Sequence, residues 1–395
     1  MGHPRPRLWP ILTDADRAAV ARVLDRGVLS GAGAPEMAAL ESEFAREVGR
    51  RFCLATNSGT AALHMALAAA RVGPGDEVIL PALSFIATAQ AVLHQGARPV
   101  FVDVDPKTYN LDPAAVARAI TSRTRAIVAV HLHGLAADMA VLLALAEPAG
   151  IVVIEDAAQA HGARYQGRAV GSLGAMAAFS LNSTKNLPAG EGGLFVTDDA
   201  DLYARATRTR FDGLAAPEHW EAERPLDAEA DGLSTVTGWM YLPGELTCAI
   251  ARAQLERLGA TTERSQRNAE RLSARLRLLP GVEPPEVPPD RTHVFHKYRV
   301  RLDPVAAGIA LSPRVLRDRT VHALRAEDVE AVLWQTALLP SHPLFADRLP
   351  YPNAAAVLES TVVIGSQSYP LFAQPTDVVD GWAEGFEKAW KRLRS

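Results

Sequence analysis

Lys185 stands in the stretch FSLNSTKNLPAGEGG, residues 179–193, among serine, asparagine and glycine and directly behind an apolar run that reads as a buried strand. Most lysines are solvated surface charges. An amine at the end of a buried strand can instead form a Schiff base with a carbonyl compound. Three other strand ends carry groups of related chemistry. After RFCLAT come Ser58, Gly59 and Thr60, leading into a helix. Its unpaired N–H groups and positive dipole end suit a phosphate, and Gly59 lets the backbone approach closely. Taken alone, Ser58 or Thr60 reads more readily as a helix cap. After GIVVI come Glu155 and Asp156, with Gln159 three residues beyond Asp156. In isolation Asp156 reads as a cap or an arginine partner; its functional counterpart is a carboxylate held against a protonated ring nitrogen. Ser180 closes the strand before Lys185, and Phe85, in ALSFIAT, is either core or an aromatic stacked on a flat ring.

A phosphate cradle, a ring-nitrogen partner, a stacking aromatic and a Schiff-base amine are together what pyridoxal 5'-phosphate requires. The chain has neither a G-x-G-x-x-G fingerprint nor a Walker loop, so nucleotide-driven redox and phosphoryl transfer lack their motifs. His131 and His133 lie two apart on a strand and share a face, the geometry of a metal pair. No third ligand has matching spacing, and no metal is expected.

These residues need a scaffold that brings strand ends together. Seven short β-rich runs, RFCLAT, DEVILP, RPVFVDV, RAIVAVHLHG, GIVVIED, AMAAFSL and GGLFVTD, alternate with alanine-rich helical stretches over roughly residues 50–200. That alternation predicts an α/β fold with a mainly parallel seven-stranded sheet flanked by helices, and ligands bind at the carboxyl ends of such strands. Ahead of it, Thr13 is an N-cap, Val20, Val23 and Leu24 share a face, and Gly27 stops the helix. ELTCAIARAQLERL reads as a further helix, and the proline-rich LLPGVEPPEVPPD, residues 278–290, breaks the pattern. Beyond it, HVFHKYRVRL and STVVIGSQSY read as strands, and Val379, Trp382, Phe386, Trp390 and Leu393 stripe a final helix. The expected division is residues 1–275, a cofactor-binding domain with its N-terminal segment, and 276–395, a smaller α+β domain.

A chain of 395 residues with 48% hydrophobic and 22% charged residues is an ordinary globular composition. Its net charge of -4 gives no electrostatic reason to expect nucleic acid or an anionic membrane as partner. Cys53 and Cys248 form neither a metal pair nor a disulfide framework, which fits a reducing cytoplasm. The start MGHPRPRLWPIL lacks an apolar h-region, has Pro6 where a myristoylation signal needs Ser or Thr, and reads as untargeted.

The chain resembles the DegT/DnrJ-type sugar aminotransferases, pyridoxal-phosphate enzymes of fold type I. The likeness runs through LSGAGAPEMAALESEFA, NSGTAALHMAL, VGPGDEVILPALSFIATAQAV, GARPVFVDVDPKTYNLD, VIEDAAQAHGARYQGRAVGSLG and FSLNSTKNLPAGEGG. The resemblance makes Lys185 the Schiff-base lysine, Asp156 the partner of the pyridine nitrogen, and Gln159 a neighbour of the phenolic oxygen. Ser58 stands in the matching NSGTAAL segment; Gly59, Thr60 and Ser180 match phosphate contacts, and Phe85 the aromatic over the ring. It implies amino transfer from L-glutamate or L-glutamine to a keto group of a nucleotide-linked sugar or a cyclitol, in a homodimer. Trp334, Gln335 and His342, within LWQTALLPSHPLF, are candidate substrate residues. The resemblance also leaves a lyase or eliminase of the same fold, or a non-catalytic pyridoxal-phosphate-binding regulator, as alternatives. One segment departs from the family pattern: in GWMYLPGEL, Met240 and Leu242 replace an asparagine and an arginine, and that asparagine reaches the partner subunit's cofactor phosphate.

Overall fold

The computed structural model describes residues 5–213, 234, 236–345 and 349–395; residues 1–4, the start of the stretch read for a targeting signal, lie outside them. All seven predicted β-runs form strands of one sheet: β1 (Phe52–Thr56), β2 (Glu77–Pro81), β3 (Arg98–Val102), β4 (Thr124–Val130), β5 (Val152–Asp156), β8 (Met176–Ser180) and β9 (Gly193–Thr197). A two-stranded hairpin, β6 (Arg164–Tyr165) and β7 (Arg168–Ala169), interrupts them in sequence but pairs only with itself in that sheet. The order is β1-β9-β8-β5-β4-β2-β3. The pairs from β8 through β3 are parallel, whereas β9 is antiparallel to both its neighbours. Only β9 therefore runs against the rest, so Thr56, Pro81, Val130, Asp156 and Ser180 end at one edge, where β9 begins with Gly193.

These strands are continuous apolar runs because both faces are covered. Leu54, Val78, Leu80, Val128, Ile154 and Phe195 pack on one side, with the alanine-rich helix α3 (Gly59–Ala69). Ile79, Ile127, Val153, Phe179 and Val196 pack on the other. Small residues along α3 let it lie close to the sheet.

The N-terminal helix Asp14–Arg26 begins at Thr13, whose N–H donates to Asp16 Oδ2 at 2.6 Å, and ends at left-handed Gly27. Its buried face holds Ala19 and Val23, whereas Leu24 is 59% exposed. The helical period places Leu24 with Val23 and Val20 in sequence, but the partner helix Glu245–Leu255 covers only the Ala19–Val23 side.

A second sheet, β10-β11-β13-β12, joins Val282–Glu283, Tyr298–Leu302, Thr361–Ile364 and Ala331–Val332, all antiparallel. Its core collects Tyr298, Val300 and Val362 with Val379, Trp382, Phe386 and Trp390 of the final helix, Thr376–Arg394. Ala269, Leu272 and Leu276 of the helix Leu258–Leu276 complete it. No helix among the described residues is long and apolar enough to cross a membrane.

Candidate active site

Lys185 lies on the turn between β8 and β9, a hairpin closed by Ala189 N–H to Leu181 O at 2.7 Å and Ser183 N–H to Gly190 O at 2.8 Å. Its own N–H donates to Asn182 O at 2.9 Å. Two distant segments fix this turn from outside. Trp9 Nε1 donates to the Lys185 carbonyl at 3.1 Å, and Asn186 Nδ2 donates to Val294 O at 3.1 Å. Trp9 is itself wedged edge-on against Phe372, ring centres 4.9 Å apart. The Lys185 side chain is half-buried, and its amine has no hydrogen-bond acceptor among the described residues. Desolvation lowers its pKa from the ordinary value, outweighing the opposite pull of Asp156 and Glu191.

Asp156 is buried at the end of β5. Thr88 Oγ1 donates to its Oδ2 at 2.8 Å, and Ala158 N–H to its Oδ1 at 3.2 Å. Ser84 stands behind Thr88 at 3.0 Å, at the start of helix α4 (Ile86–His94). Desolvation raises the Asp156 pKa despite these donors and the nearby Lys185 and His131. Neither an arginine contact nor a helix N-cap uses it, so both structural alternatives for this residue fall away.

Glu155 faces the other way, as alternation along a strand requires. Its oxygens accept Gly171, Leu173 and Gly174 N–H, each at 2.7 Å, and His131 Nε2 at 3.0 Å. Desolvation opposes the charge, but His131 and these amides hold the carboxyl below the ordinary value. His131 Nδ1 accepts Ala137 N–H at 2.9 Å, so both its ring nitrogens are engaged within the fold.

The start of α3 meets the end of β8. Ser58 is the N-cap, its hydroxyl accepting Ala61 N–H at 3.1 Å, and Gly59 and Thr60 form the first turn. A Cβ at Gly59 would lie 2.8 Å from Ser180 Cβ, so only glycine permits this approach. Ser58 is thus a cap and simultaneously lines the cradle that Gly59, Thr60 and Ser180 form. Gln159 is buried, and its Oε1 accepts His133 N–H at 2.8 Å. Phe85 is 57% exposed, which removes the core alternative. Trp334 meets His133 edge-on at 4.9 Å. Gln335, at φ 61°, has both amide atoms buried without a hydrogen bond. His342 stands apart: its N–H bonds Leu339 O, and nearby Phe345 packs on Phe101 of β3. Met240 is 52% exposed in a left-handed conformation, while Tyr241 beside it turns inward to His64 and accepts Asn57 N–H at 2.8 Å.

The donor set fits pyridoxal phosphate: an unpaired amine, a buried carboxylate short of cationic contacts, and a glycine cradle at a helix start. Thr88, Trp9 and the imidazole of His161, buried near Lys185 and pushed down to about 3 by desolvation, escaped the sequence motifs. Thr88 alone left a trace, one helical turn after Ser84.

The chain belongs to the DegT/DnrJ/EryC1/StrS aminotransferase family, whose model matches residues 10–377. It is 38% identical over 372 residues to the L-glutamine:scyllo-inosose aminotransferase of Streptomyces griseus, covering 89% of this chain and 85% of that relative. Among solved structures, 3-amino-5-hydroxybenzoic acid synthase superposes with a TM-score of 0.87 at 31% identity, covering 99% of this chain and all of that one. DesV of S. venezuelae, in complex with a ketimine intermediate, gives 0.82 at 32% identity, covering 97% of this chain and 99% of that one.

Proposed function

We propose that this protein binds pyridoxal 5'-phosphate and transfers an amino group from L-glutamine or L-glutamate to a keto group of a cyclitol or sugar. The observation that carries this is the placement of the Lys185 amine and the Asp156 carboxylate at one end of the sheet's strands, each desolvated and short of partners among the described residues. The cofactor, when bound, supplies an aldehyde for the amine and a ring that takes up electrons from the substrate.

Asp156, as an anion, would hold the cofactor's protonated ring nitrogen; a cation brought against it would relieve the desolvation that raises its pKa. Thr88 and Ala158 N–H aim the carboxylate. The first turn of α3 and Ser180 hold the phosphate, and Phe85 offers an exposed ring face to the cofactor. Lys185, whose lowered pKa makes neutral amine available, moves a proton at the donor's α-carbon. Gln159, its amide fixed by His133 N–H, orients the ring's oxygen substituent. Trp334, Gln335 and His342 are the substrate residues in this reading. We assign residues 1–275 to the cofactor-binding domain and 276–395 to the smaller one, with the helix Leu258–Leu276 at the end of the first packing on the sheet of the second. The enzyme works as a cytoplasmic homodimer, with exposed Phe85, Trp239 and Met240 available to a second copy.

The Streptomyces relative's name, with L-glutamine as donor and a keto-cyclitol as acceptor, supports starting there. Stopped-flow spectra of the cofactor-loaded protein test the proposal: L-glutamine or L-glutamate alone should convert the cofactor, and keto-cyclitols or keto-sugar nucleotides should convert it back. Failure of every amino acid to convert it overturns transamination.

A further inference from the structure

Beside Lys185, the strand that opens the smaller sheet carries two more cations. Lys297 and Arg299 lie two residues apart, so they share one face of the segment entering β11, while Tyr298 and Val300 enter the apolar core on the other. Lys297 is 4% exposed and Arg299 2%. Neither forms an ion pair with a carboxylate among the described residues. Among the described residues, the Lys297 ammonium meets the Trp334 ring, 5.9 Å away. Arg299 Nη2 donates to Trp334 O at 2.7 Å, but its Nε and Nη1 have no acceptor. Both amide atoms of Gln335, the next residue, are also buried without a hydrogen bond.

Buried cations are expensive unless paired, and each buried unsatisfied group calls for an explanation. Burial pushes Lys297 down to about 8, and the charge acting on it, Lys185, has the same sign. Arg299 is lowered too by burial, yet remains a cation under any working condition. The cluster therefore has an excess of positive charge and open donors. On the side of Tyr109, His133 and His293, the void they border is about 10 Å³, too small for a carboxylate. Lys297 lies within reach of the Lys185 charge, and an anion brought to that amine would meet Lys297 as its neighbouring cation.

We propose that Lys297 and Arg299, with Gln335, receive the α-carboxylate of the amino donor. This rests on the transamination reading. The α-carboxylate is one bond from the carbon at which Lys185 moves a proton, so its binding groups must lie within a few ångströms of that amine. A carboxylate carried by the acceptor has the same chemistry and is separated from the donor by the test.

Lys297→Met keeps the side chain's length and removes its charge; circular dichroism checks that it folds, and Arg299→Gln is a second variant. Calorimetric titration with glutarate, which has neither amino nor keto group, reads carboxylate binding without turnover, with glutaramide as the uncharged control. Single-turnover spectra give the apparent Kd for L-glutamine. In both variants, glutarate and L-glutamine should bind roughly 10- to 100-fold more weakly than in wild type. Glutaramide binding and borohydride fixation at Lys185 should be unchanged, and Lys297→Arg should restore most of the affinity. Unchanged L-glutamine and glutarate binding in Lys297→Met overturns the proposal, as does weakening confined to a carboxylate-bearing acceptor. A wild-type protein with no amino-acid half-reaction would instead sink transamination, while glutarate would still report on the cation pair.

Discussion

Two neighbouring carboxylates on β5 serve opposite faces of the sheet. On one face Glu155 is saturated, with three backbone amides and His131 around it. On the other, Asp156 has a hydroxyl and one amide, and burial raises its pKa. The first arrangement holds the loop around residues 171–174 to the sheet. In the proposed function, the second keeps a charge ready for a ligand. A buried acid whose partners are complete stabilises the fold, whereas one left short of them gives up stability for function.

The largest effect that sharpens this contrast is on the underpaired face. Lys185→Ala should lower kcat by roughly 10²–10⁴-fold, and borohydride should no longer fix cofactor to the chain. Asp156→Asn comes next, with kcat down roughly 10²–10³-fold. Its cofactor-free form should nonetheless melt higher at pH 7. The folded Asp156 carboxyl is raised above the ordinary 3.8, so the cost of its charge is complete above the raised value and vanishes as pH falls through 3.8. A melting-temperature series against pH checks that sign; a variant less stable at pH 7 would break the contrast.

On the saturated face, Glu155→Gln should cost roughly 3 kcal/mol of stability with kcat per folded molecule nearly unchanged, measured by urea unfolding and active-site titration. Glu155 has its folded pKa below the ordinary 4.5, so its contribution is complete above 4.5 and is lost as pH falls through the folded value. The smallest effect belongs to Trp9→Phe, which keeps the packing on Phe372 and removes the hydrogen bond to the Lys185 carbonyl. About 1 kcal/mol of positioning corresponds to roughly a 5-fold drop in kcat, with cofactor retained.

The seven strands were legible because a sheet covered on both faces needs continuous apolar runs, and each run ends in a turn signal. Lys185, Asp156, Gln159 and the Ser58–Thr60 turn were legible for a related reason: each follows a strand directly, so local order alone puts it at the sheet's edge. Leu24 shows the limit, since periodicity gives a helix its face but not the width of the partner that covers it. Phe85 shows another, because an aromatic at a helix start has the same local pattern exposed or buried.

The sequence by itself thus determined the sheet, its order of alternation with helices, the family, and the places of Asp156 and Lys185 at and after strand ends, through patterns only a few residues long. Tertiary structure alone decided which of Glu155 and Asp156 is left short of partners, that Trp9 holds the Lys185 turn across 176 positions, and that Lys297 and Arg299 are buried without a carboxylate partner among the described residues. Partner counts, burial and net local charge depend on chain segments far apart in sequence, and no local spacing encodes them.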